Sequence, residues 1–399
     1  MTTTNNIFKP INNNDPVQKA KDALLAVRQY QQDWQDYGVD RVHRYFDDVE
    51  CKWLEEFCEE PVTLKEVSPL INLDTIFQGL KKLGFASRSF VKKFILPDWW
   101  NNDLENDFDS VNNLIISITK NLLLDVNFSK QDSLFTFKVV PELKYKLQSK
   151  QNNPYLFSCL AKSVAELTSS AIAKVYTSIP ESPQEIRDFI LQKYQHINLE
   201  GLLEFCYEFG IPIIHFDKIP KGESKFDGMV VVCNGRPVIV ISSSRKNSAW
   251  LAFILAHELG HIAKKHVLNG MLVDTSFSGG ERDTDEDDAD KFASDLLFGG
   301  YDLQWSNEIN LNKLLLKAKS LSEDSQIDSG IAVLNYGWQT KDWRGAMAAI
   351  KRLEPLANAP EKINAFLNQY IQPQKIDIDG QAFLRRMNVL SGASQLGTE

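Results

Sequence analysis

His257–Glu258–Leu259–Gly260–His261 is the segment of this sequence with the clearest capacity for chemistry. Two histidines four apart lie one turn above each other on one face of a helix, with Cβ atoms about 6 Å apart. Their imidazoles can converge on a single zinc ion at about 2.0–2.1 Å. Glu258, one position on, is rotated from His257 by about 100° around the helix axis. Its carboxylate then stands beside a metal rather than on it, where a general base for attack by water belongs. The competing reading is a surface helix whose histidines face solvent. Trp250, Leu251, Phe253, Ile254, Leu255 and Leu259 argue against it, because they make the helix apolar nearly all round and so a core element. Two imidazoles and a carboxylate buried there without partners would be costly. A bound metal removes that cost.

A zinc site that hydrolyses needs a third protein ligand and an open position. The acidic run Glu281 to Asp290 leads into Lys291–Phe292–Ala293–Ser294–Asp295–Leu296–Leu297. Ala289, Phe292, Ala293, Leu296 and Leu297 repeat at three and four, which predicts a helix with one apolar face. Glu286 extends that face toward the helix start and is the expected third ligand. Asp290, one turn later, is placed to accept the second ring N–H of a ligating histidine and fix its tautomer. Glu281, Asp283, Asp285 and Asp287 read as acids favoured by the helix N-terminus. A calcium loop is excluded, since Asp288 stands where Gly is needed and Ser294 where Glu is needed. Of the other histidines, His215 sits in an apolar strand and is the reserve ligand. His266, five after His261, falls off the ligand face and is expected to be exposed. His43 and His196 carry no pattern.

These residues need elements to position them. Asn247 or Ser248 can cap a helix from Ala249 to about Lys265. Before it, the β-branched runs Met229–Val232 and Val238–Ile241 are joined through Asn234–Gly235, a strong hairpin signal, and one of these strands is expected to be a sheet edge open to an extended substrate. Ile211–Phe216 reads as a further strand. Pro183–Tyr194 and Leu199–Phe209 read as helices, the second stopped by Gly210. Helices and strands mixed within one unit give an α+β class. Residues 1–16 read as a disordered lead-in and 17–180 as a helical region, strongest at Asp74–Leu83, Asp109–Leu124 and Tyr155–Tyr176. Pro180 and Pro183 mark the boundary to the unit at 183–300. Residues 301–399 read as helical again (Leu311–Leu321, Trp343–Leu353, Pro360–Tyr370) before a polar tail.

The composition is that of a soluble globular chain: 43% hydrophobic and 24% charged over 399 residues. A net charge of −9 speaks against a nucleic-acid-coating protein. Five cysteines, an odd count without paired spacing, suit reduced thiols better than disulfides or a Cys-ligated zinc site. Met1–Asn6 lacks the layout of a signal peptide, and the most apolar stretch, Trp250–Ala256, is too short to span a bilayer. A cytoplasmic location is expected.

From Gly201 to Leu297 the sequence resembles the ImmA/IrrE-type zinc metallopeptidase domain. The likeness rests on Leu202–Ile214, Lys225–Phe226–Asp227–Gly228, Arg236–Ile241, the His257–His261 pattern and Glu286–Leu297. It implies a zincin-like domain with a small sheet and metal-binding helices, His257, His261 and Glu286 as zinc ligands, and Glu258 as catalytic acid/base. It also implies an intracellular endopeptidase whose partner is a protein substrate, such as an Xre-type helix–turn–helix repressor or an antitoxin, in stress or phage-related regulation. Two features depart from the family. Residues 17–60 hold no helix–turn–helix with a basic recognition helix, so direct DNA binding is not expected. Phe298–Gly299–Gly300 replaces the apolar residue and Pro that often follow the third-ligand helix. The alternative to an enzyme is a regulatory, antitoxin-like or defence-operon partner with a structural or weakly active zinc site, and a zinc hydrolase of small amides ranks third. Tyr301 and Arg282 are the candidates for a donor to the oxyanion.

Overall fold

A computed structural model describes residues 72–126, 134–138, 154–219, 226–267, 271–274, 284–306 and 310–391. The lead-in at 1–16, the helical pattern at 17–60, Arg282 and the polar tail from 392 lie outside the described residues. The described residues divide into two compact units, one formed by those up to Leu83 with those of Trp99–Thr119 and Leu124–Thr136, the other by those of Gly84–Asp98, Lys120–Leu123 and Phe137 onward.

The first unit contains helix α1 (Leu73–Lys82), most of α2 (Phe108–Leu122), and strand β1 (Leu124–Val126) paired with β2 (Phe135–Phe137). Asn72 caps α1 by accepting from Thr75 N–H, and Ile76, Phe77 and Leu80 form its buried stripe. The β1–β2 pair was not expected within a helical region; three residues per strand are too few to show a period.

From Phe137 onward the second unit contains α3 (Pro154–Ser170), α4 (Pro183–Leu191) and α5 (Leu199–Glu208). Helix α3 ends six residues earlier than its apolar pattern suggests. Its last turn tightens through Ala171 N–H to Thr168 O and Ile172 N–H to Ser169 O, and Ile172 then bridges to Ile371. Tertiary pairing overrides helix propensity there. The sheet follows: β3 (Ile213–His215), β4 (Gly228–Cys233), β5 (Arg236–Ile241) and β6 (Met271–Asp274), in the order β3-β5-β4-β6. β3 runs parallel to β5, and the other pairings are antiparallel. Asn234 and Gly235 turn the β4–β5 hairpin with φ of 51° and 80°, both positive as a type I′ turn requires.

The expectation of an open hairpin edge is corrected. β4 lies between β5 and β6, and β5 between β3 and β4, so both hairpin strands are interior. Among the described residues the edges are β3 and β6. On β3, the Asn364 side chain takes the place of a neighbouring strand: its Oδ1 accepts from His215 N–H and its Nδ2 donates to His215 O, each at 2.9 Å. This closes an edge that would otherwise expose unpaired backbone groups.

Helix α6 (Ser248–Ala263) runs through the middle of the unit, with every residue from Ala249 to Ala263 buried. Around it pack α5, β4, β5, α7 (Thr284–Phe298) and α9 (Ser329–Thr340), with α8 (Leu311–Ser325), α10 (Trp343–Leu353) and α11 (Ala359–Leu367) completing the same apolar core. α12 (Ile378–Arg386) ends the described chain. The fold is α+β, mostly helical, with two small sheets among the described residues. No helix among the described residues is long and apolar enough to cross a membrane.

Asn364→Ala removes both hydrogen bonds to His215 and a third to Asn388 O. Stranded backbone groups cost about 1–3 kcal/mol, so the urea midpoint should fall accordingly at an unchanged m-value.

Candidate metal centre

Helix α6 is held at both ends. At its start, Asn247 Oδ1 accepts from Trp250 N–H at 3.3 Å, and the Glu354 carboxylate accepts from Ser248 N–H and Ser248 Oγ–H, each at 2.7 Å. An anion here complements the positive end of the helix dipole. Arg245 lies over the Trp250 ring at 3.5 Å, beside Trp338 and Trp343. The last two turns carry His257, Glu258 and His261, all buried.

Helix α7 meets α6 where Gly260 faces Ala289. A methyl group added at Gly260 would lie 2.9 Å from Ala289 Cα and 3.1 Å from its carbonyl oxygen. Only a residue without a side chain lets the two backbones approach this closely. That approach brings Glu286 over the histidine pair. His257 Nε2 is 3.1 Å from His261 Nε2 and 3.3 Å from Glu286 Oε2, and His261 Nε2 is 3.6 Å from Glu286 Oε1. Tetrahedral zinc with bonds of 2.0–2.1 Å separates its ligand atoms by about 3.3–3.4 Å. The two imidazole nitrogens and the carboxylate therefore have the spacing and the donor types of a zinc site, and they are the only such group among the described residues. The Glu286 side chain is 31% exposed, so the group opens to solvent on that side.

Asp290 stands where the sequence suggests: its Oδ1 accepts from His257 Nδ1 at 3.0 Å, leaving Nε2 to face the cluster. His215 is elsewhere, its Nε2 on the carbonyl of Ser243 at 3.1 Å, and takes no part in the group. The exposure expected of His266 is corrected. Its side chain is only 9% exposed, and its Nδ1 lies 2.9 Å from His261 Nδ1. A continuing helix would carry position 266 away from the ligand face, but α6 stops at Ala263. The chain turns back through Lys265 at φ 59°, and His266 N–H returns to His261 O at 3.0 Å, a Schellman-type closure. The left-handed position of such a cap is usually Gly, and here it is Lys265, so the sequence carries no signal for it.

Glu258 is buried beneath β4. A methyl group added at Gly228 would overlap Glu258 Oε1 and approach Cδ to 2.8 Å, so this glycine makes the space the carboxylate occupies. Neither Gly228 nor Gly260 stood out as a site residue in the sequence, since only the contact across elements reveals why a side chain is forbidden.

The far end of α7 explains Gly299–Gly300. Both have positive φ, and the buried Arg187 guanidinium lies against Gly299, where a Cβ would come within 2.8 Å of it. Arg187 donates to Leu296 O at 2.8 Å and Leu297 O at 3.1 Å, capping the negative end of the helix. Burial lowers the pKa of this guanidinium from its usual value. Tyr301 follows this cap, beyond the end of α7, whose rise from Glu286 to Phe298 is about 18 Å.

Residues 229–278 match the model of Peptidase family M48. The matched segment takes in His257, Glu258 and His261 and ends before Glu286. The likeness is to a metallopeptidase family and supports a hydrolase acting on peptide bonds. No curated protein matches the chain.

Gly260→Ala should push α7 away from α6. Overpacking of this kind costs about 1–3 kcal/mol, and zinc affinity, measured by competition with a chromogenic chelator, should drop together with the thermal midpoint.

Proposed function

We propose that this protein is an intracellular zinc-dependent endopeptidase with a narrow protein substrate, in which His257, His261 and Glu286 hold the metal and Glu258 is the general base. One observation carries the reading: a carboxylate buried beside three convergent ligand side chains, in a space kept open by Gly228. A purely structural zinc site has no use for that carboxylate. The match to Peptidase family M48 supports the reaction class. Cys206 and Cys233 are free and buried, which suits a reducing compartment. The resemblance to ImmA/IrrE-type domains supports a helix–turn–helix repressor or antitoxin as the substrate class.

When bound, zinc supplies Lewis acidity, which lowers the pKa of water toward about 7 and polarises a carbonyl. Glu258 accepts a proton from water as the water oxygen bonds to the scissile carbonyl carbon. It returns that proton to the amine nitrogen as the C–N bond breaks. Asp290 keeps His257 in one tautomer throughout. Substrate can reach the site as an added strand on β6. Asn364 covers β3, and Gly228, which pairs with Asp274 of β6, adjoins Glu258.

Two variants test this. Glu258→Gln, co-expressed with a helix–turn–helix repressor, should keep one zinc per chain while cleavage falls about 10²–10⁴-fold; equal cleavage by both forms would remove Glu258 as the base. Gly228→Ala should also retain zinc, because no ligand is touched, yet lower kcat with little change in KM.

A further inference from the structure

His261 has two ring nitrogens, and the structure gives each a different neighbour. Nε2 faces His257 and Glu286. Nδ1 faces His266 Nδ1 at 2.9 Å, with the rings 5.1 Å apart and tilted by 68°. Two imidazole nitrogens at this distance form a hydrogen bond only if one carries the hydrogen and the other a lone pair. Two arrangements satisfy this. His261 can donate from Nδ1, which leaves its Nε2 bare toward the cluster. Alternatively His266 donates, His261 Nδ1 accepts, and the hydrogen of neutral His261 sits on Nε2, where a metal would bind. The second arrangement cancels His261 as a ligand.

We propose that His266 is a positioning residue for the metal centre: it accepts from His261 Nδ1–H and so holds His261 in the one tautomer that presents Nε2. This rests on the reading that His257, His261 and Glu286 bind zinc. Asp285 sets the direction of the pair. Its Oδ1 is 3.8 Å from His266 Nε2, beyond direct hydrogen-bond range but close enough to favour the hydrogen on that nitrogen, leaving Nδ1 free to accept. The two histidine ligands are thus oriented by acids on either side of Glu286 in the same helix. Asp290 acts on His257 directly, whereas Asp285 acts on His261 through a second imidazole.

The test uses the full chain. Zinc affinity is measured by chelator competition for the wild type, His266→Phe, His266→Gln and Asp285→Asn, with far-UV circular dichroism of each metal-free form to register folding. Outer-shell partners of metal ligands are worth about 10–100-fold in affinity. His266→Phe should lose that factor, and His266→Gln, whose amide oxygen can accept from Nδ1–H, should recover most of it. Asp285→Asn should lie between wild type and Phe. Nitrogen-15 NMR of the zinc-loaded wild type, with labelled histidine, should show His261 protonated at Nδ1 and His266 at Nε2. A His266→Phe protein that binds zinc as tightly as wild type overturns the proposal, as does a His261 without a hydrogen on Nδ1. Failure of the wild type to take up zinc would sink the underlying reading instead, which the wild-type titration reveals on its own.

Discussion

The contact between α6 and α7 at Gly260 and Ala289 governs what the rest of the molecule can do. Two histidines on one helix offer only two ligands, and a third must come from an element that no local rule brings near. A single missing side chain allows two helix backbones to close, and with them Glu286 meets His257 and His261 at 3.3 and 3.6 Å. The surrounding structure keeps that contact fixed. Arg187 caps the distant end of α7, Glu354 and Asn247 cap the start of α6, and aromatic residues of α9 and α10 wedge against Trp250 and Phe253. Displacement of either helix would therefore break charged or fully buried interactions far from the cluster.

What the sequence makes legible here is mostly local. The His-Glu-x-x-His spacing, the Asn247 cap, the Asn234–Gly235 hairpin and the apolar repeat behind Glu286 each depend on neighbours within one or two turns, and each is found where its pattern points. The losses share a cause as well. β6 is four residues long and offers no period, and α9 is buried on so many sides that its apolar residues mark no face. His266 depends on where α6 ends rather than on how it winds. Gly228 and Gly260 matter for the side chain they lack, a property visible only once the opposing atoms are in place. Counting the open edge on the hairpin failed for the same reason: strand order is a tertiary fact, and β6 comes from sequence beyond the helix.

The centre also separates its tasks by burial. The histidines and Glu258 are sealed, while Glu286 and Asp290 remain partly open. Rotamers on the sealed side are locked by packing, which suits groups that must stay in place through a reaction. Among the described residues, solvent reaches the group on the side of Glu286 and Asp290.

The amide of Asn364 has a consequence for self-association. A sheet with two bare margins can recruit copies of itself without limit, each newcomer offering a fresh margin to the next. Here one margin is occupied from within, and among the described residues only β6 is left. Pairing of two molecules through β6 would leave this four-stranded sheet no uncovered margin among the described residues, so its growth by strand addition stops at a twofold pair.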